Sequence, residues 1–96
     1  MTYGDWTITW SGWREPSNQP IVIGYWLAFK AAAPEPFWCA TTMGTLREHR
    51  SWFECIDFTR QPDWPMLTSV STDNEREANR QRALQLLTAK LMELGS

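Results

Sequence analysis

Lysine, cysteine and histidine are scarce in this chain, and no long hydrophobic run occurs. Of 96 residues only two are lysine, two are cysteine and one is histidine. The longest apolar run falls far short of the roughly 18 residues that suggest a membrane span. The N-terminus, Met-Thr-Tyr-Gly-Asp-Trp, has neither a basic n-region nor an apolar h-region, so no signal peptide is read there. With no secretory signal, Cys39 and Cys55 are expected as reduced, non-catalytic thiols in the cytoplasm.

The scarcity of cationic charge narrows the choice of partners. Nine basic against eleven acidic side chains leave a net charge of −2. A protein gripping phosphate backbones non-specifically is normally basic, so nucleic acid is disfavoured as a partner. His49, Cys39 and Cys55 supply at most three zinc ligands, and neither cysteine has a second one at the close spacing a structural site uses. No metal and no cofactor are expected. No Gly-x-Gly-x-x-Gly or Walker-type loop occurs. Glu54 and Asp57 fall on opposite faces of the strand read below, which removes them as an acid–base pair. A Cys–His nucleophile pair has no local support either, and no catalysis is expected.

Tryptophan and arginine, by contrast, are plentiful. There are seven of each, and both types recur at binding hot spots, where large contact area or bidentate bonding comes at modest ordering cost. Small domains also use bulky aromatics to fill a thin core. A chain this size buries only about 60–68% of the surface its unfolded form exposes.

Hydrophobic periodicity supplies an architecture. Trp6, Ile8 and Trp10 alternate with Thr7 and Thr9, which predicts a strand over 5–11. Residues 11–20 hold turn formers and read as a loop. A second strand spans 21–30, with Ile21, Ile23, Tyr25, Leu27 and Phe29 on one face and Val22, Gly24, Trp26, Ala28 and Lys30 on the other. Pro34-Glu35-Pro36 breaks it, and a third strand runs over 37–43. Thr45 to Thr59 fits either a helix, with Leu46, His49, Phe53 and Ile56 as its stripe, or a turn at 44–50 and a fourth strand at 51–59; the strand is the reading taken. Residues 60–71 read as a loop. The last segment is the clearest helix, at about 73–94. Thr72 and Glu75 form a capping box, and Leu84, Leu87, Leu91 and Leu94 repeat at helical spacing. Its first ten residues carry only Ala78 as an apolar side chain and are expected off the core.

These elements give one α+β domain: an antiparallel meander of three to four strands packed on one C-terminal helix in two layers. If the Ile21–Phe29 face lies under the helix, Trp26 points away from it. The same logic turns Trp38 outward beside Trp26, and a large exposed apolar patch marks an interaction site. A second candidate surface is the polar half-helix, where Arg76 and Arg80 stand one turn apart and could grip a partner's carboxylates or a phosphate run. The expected function is a non-enzymatic protein–protein interaction module that presents Trp26, Trp38, Arg76 and Arg80 to a larger cytoplasmic protein. In size and style alone the chain is similar to small inhibitors such as phage-encoded anti-CRISPR proteins; no motif carries that analogy. The alternative is a single-stranded nucleic-acid or small-ligand binder that stacks its ligand on exposed tryptophans of an open sheet face.

Overall fold

A computed structural model describes residues 1–16, 20–30, 33–50 and 60–95. It contains a five-stranded antiparallel sheet, in chain order, packed against one C-terminal helix. The strands are β1 (Thr2–Tyr3), β2 (Trp6–Trp10), β3 (Tyr25–Lys30), β4 (Ala33–Thr41) and β5 (Leu46–His49), and the helix is α1 (Asp73–Gly95). The α+β meander expected from periodicity is therefore present, with one strand more than anticipated. The expected strand at 51–59 lies outside the described residues.

The strand expected over 21–30 is regular only from Tyr25, with Ile23 in an isolated bridge to Arg14, and β1 was not expected. Two further stretches depart from the sequence reading. Residues 44–50, expected as a turn, hold β5, which pairs with β4 from Phe37↔His49 to Ala40↔Leu46. Backbone hydrogen bonding along β4 outweighs the weak local preference of Leu46–His49. The Pro34-Glu35-Pro36 stretch, expected as a break, lies within β4. The β3–β4 register shifts there, between Ala28↔Trp38 and Lys30↔Ala33. A bulge is a place where prolines, which have no N–H to give, are tolerated in a sheet.

The largest correction concerns which face is which. Trp6, Ile8, Trp26, Ala28 and Ala40 pack with Ala83, Leu87 and Leu91 of the helix, and Tyr3, Trp10, Trp38 and Leu46 border the same cluster. Trp26 and Trp38 thus lie under the helix rather than opposite it, and Trp26 is only 5% exposed. The other face carries Leu27, Phe37 and Cys39, also buried, with Tyr25 and Phe29 beside them. Periodicity separates the two faces of a strand but not their destinations when both are apolar. What settles the choice is volume. Trp26 stands opposite Ala40, and Ala28 opposite Trp38, so each large ring sits beside a methyl group and a helix can seat on the surface between.

The helix begins as the sequence indicates. Glu75 N–H donates to Thr72 Oγ1 at 3.2 Å, and Thr72 N–H donates to Glu75 Oε1 at 3.0 Å, the reciprocal capping box. These bonds, the Thr72 backbone N–H foremost and its hydroxyl next, hold the Glu75 carboxyl below its ordinary value of 4.5. Leu87 and Leu91 are fully buried, Leu84 is partly buried, and Leu94, expected in the stripe, is exposed. Among the described residues, no helix is long and apolar enough to cross a membrane.

Candidate functional site

The polar half of α1 does not run free. Asn79 has no exposed surface, and its Nδ2 donates to Thr42 O at 3.0 Å and to Pro65 O at 3.1 Å. Thr42 lies in the β4–β5 turn, where Thr41, Thr42 and Thr45 are all buried. Its N–H donates to Gly24 O at 2.9 Å, and its Oγ1 accepts from Gly24 N–H at 3.1 Å. One helical asparagine therefore ties α1 to the hairpin turn and to the loop that precedes the helix. A polar residue in a helix reads as a solvated position by default, and nothing in the sequence around Asn79 marks it as buried.

Next to Asn79 stands Arg80. Its backbone carbonyl accepts from the Trp26 indole Nε1–H at 2.9 Å. Its guanidinium carbon lies 4.7 Å from the Trp26 ring centroid and 5.2 Å from that of Trp10. The rings of Trp10 and Trp26 are 5.0 Å apart and tilted by 49°, and Trp13 meets Trp10 edge-on at 5.2 Å. Gly24 is what lets Trp10 in, because a Cβ at that position would overlap its six-membered ring. The loop bearing Trp13 is registered by the Arg14–Ile23 bridge, N–H to O in both directions at 2.8 and 2.9 Å. The result is a prearranged cluster of three indoles and one guanidinium. Trp26 forms its floor, and Trp10, Trp13 and Arg80 remain half-buried.

The four residues singled out from sequence thus meet different fates. Trp26 is core. Trp38 is half-buried beneath the C-terminal half of α1, with Lys90 Nζ 5.3 Å over its ring. The two do not form the outward pair expected; the ring beside Trp26 is Trp10. Arg76 leans back toward the preceding loop, where its Nη2 donates to Ser69 O at 3.4 Å, while its Nε is buried without a partner among the described residues. Arg80 is taken up by the indoles and by Glu77, at 3.0 Å. Glu77 is held below its ordinary value by the Gln81 amide first and, against an opposing loss of hydration, by Arg80 after it. The Arg76–Arg80 face is therefore spent on contacts within the chain. Trp10 and Trp13 are the half-buried indoles of the cluster instead, and neither was named from sequence as a site residue. Their signal was the Trp-x-x-Trp spacing across a glycine.

The open aromatic sheet face expected for a base-stacking platform is not found among the described residues, since Leu27, Phe37 and Cys39 on the far face are buried. His49 stacks on Phe37, with ring centroids 5.9 Å apart, and Cys39 is a buried thiol on the same side of the sheet. Cys55 lies outside the described residues.

A cleft of about 310 Å³ opens at the far end of the helix-covered face. It is lined by the β1–β2 turn (Tyr3, Gly4, Asp5 and Trp6), Lys30 at the end of β3, and Leu91 and Met92 of α1. Gly4 has φ of +59°, and no other residue in the turn has a positive φ. That is the pattern of a two-residue hairpin with glycine first. Lys30 Nζ sits 5.0 Å over the Trp6 ring. The Trp6 Nε1–H is shut off from solvent and has no acceptor among the described residues. No protein-family model, no curated protein and no solved structure matches this chain, so the fold and these two sites stand on their own geometry.

Proposed function

We propose that the protein is a non-enzymatic binding module, a small inhibitor or adaptor, that engages a larger protein through Trp10 and Trp13, with Arg80 packed over the Trp10 ring. The observation that carries this reading is the prearranged Trp10–Trp13–Trp26–Arg80 cluster. Indoles and a guanidinium already fixed by stacking lose little freedom when a partner side chain docks against them. Trp26 supports this surface from below, Trp38 lies apart from it under the C-terminal half of α1, and Arg76 contacts the loop that precedes the helix.

The test is capture on the immobilised protein, with bound proteins identified by mass spectrometry. A partner retained by the wild type is lost with Trp13→Ala, a change that costs about 2 kcal/mol or more of binding at a hot spot. Retention persists as salt rises, whereas binding through phosphates weakens steeply. A partner held equally well by Trp13→Ala, or released by moderate salt, defeats this surface.

A further inference from the structure

The cleft at the β1–β2 turn presents an unusual set of groups. Asp5 and Lys30 both line it. Their side chains form no ion pair with each other, and neither side chain has a hydrogen bond or ion pair with any other described residue. Two opposite charges on one cleft normally close on each other unless the backbone holds them apart. Here Asp5 is fixed in a tight turn, and Lys30 is drawn over the Trp6 ring at 5.0 Å. The same cleft is lined by Trp6, the fully buried Leu91, the exposed Met92 and the half-buried Tyr3. The cleft therefore offers one acceptor, one cationic donor and an apolar bed. Its volume of about 310 Å³ stands at the small end of the range of about 300–1,000 Å³ for ligand sites.

We propose that this cleft binds a small zwitterion with an apolar side group, the chemistry of a free aliphatic or aromatic α-amino acid. The ligand's ammonium group meets Asp5, its carboxylate meets the Lys30 ammonium, and its side group rests on Trp6, Leu91 and Met92. A simple anion is repelled by Asp5 and a simple cation by Lys30, so the pair selects for a molecule carrying both charges. The site is separate from the tryptophan cluster, and this inference stands independently of the protein-binding reading.

Ligand-observed NMR on the full chain tests it with L-phenylalanine, L-leucine, 3-phenylpropionate and phenethylamine as probes. The amino acids bind at millimolar concentration, and 3-phenylpropionate and phenethylamine each bind at least about tenfold more weakly than phenylalanine. Asp5→Asn removes the discrimination against 3-phenylpropionate, and Lys30→Gln removes the discrimination against phenethylamine. Asp5 sits in an exposed turn, so its variant stays folded and keeps the test decisive if Lys30→Gln disturbs the strand end. Absence of any bound amino acid at that concentration overturns the proposal. So does 3-phenylpropionate binding as tightly as phenylalanine to the wild type.

Discussion

Between Ala83 and Leu91, α1 meets the sheet through three side chains with no solvent exposure, Ala83, Leu87 and Leu91. One turn earlier it meets the β4–β5 turn through the Asn79 amide and the sheet through the Arg80 carbonyl and guanidinium. Both halves are docked, but by different forces. Apolar burial is strong and non-directional, so it fixes how tightly the second half is held and says little about its rotation. Hydrogen bonds are weaker in net terms and depend on angle. Two from Asn79 and one from Trp26 set the rotation and register of the first half. The polar half positions the helix and the apolar half holds it down.

The largest effect expected from this contrast is in the apolar half. Leu87→Ala or Leu91→Ala should each cost about 2–5 kcal/mol in a denaturant titration, the lost transfer energy plus a cavity. A loss under about 1 kcal/mol for both would move the weight of docking elsewhere. Asn79→Ala comes next. It strands the buried Thr42 carbonyl and should cost about 1–3 kcal/mol. Asn79→Leu is the sharper variant, since leucine is the better helix former and is apolar. It should be no more stable than Asn79→Ala, and a leucine variant as stable as the wild type would erase the distinction between the halves.

Smaller again is Arg80→Ala. It removes two cation–π contacts and a surface ion pair and should cost about 1 kcal/mol, with near-UV circular dichroism changing as Trp10 loosens. Unchanged stability together with unchanged near-UV signal would show that the guanidinium merely lies near the indoles. The smallest effect belongs to the cap. The folded state holds the Glu75 carboxyl below 4.5, so its stabilisation is complete above that value and disappears as acid protonates it through its lowered folded pKa. Thermal melts of Glu75→Gln should therefore fall less steeply than wild type in acid below about pH 4.5. Parallel acid profiles would mean that the cap carries no proton linkage.

The sequence made the helix legible because two independent signals agreed there, the capping box at Thr72 and Glu75 and the spacing of Leu84, Leu87 and Leu91. The α+β class was legible through alternation in residues 5–11 and 21–30, although the second strand begins only at Tyr25. It misled on the sheet's orientation because Leu27 and Phe29 look as fit for a core as Trp26 and Ala28, and all but Phe29 are in fact buried. The clue available was the matching of Trp26 with Ala40 and Ala28 with Trp38, which becomes readable only once the register is known. Asn79 was unreadable for a related reason. A buried asparagine is recognised by its acceptors, and Thr42 and Pro65 are remote in sequence. The candidate surface moved accordingly from Trp26 and Trp38 to Trp10 and Trp13.

The tilted Trp10–Trp26 pair also has an optical consequence. Two indoles 5.0 Å apart and neither parallel nor perpendicular share their electronic excitation, and such coupling splits into a paired positive and negative band in the far-ultraviolet circular dichroism. Because Trp26 is bonded to the helix carbonyl of Arg80 and Trp10 lies under the same guanidinium, the couplet reports the seating of the polar half of α1. It fades when that half lifts away, while the signal of the helix itself remains.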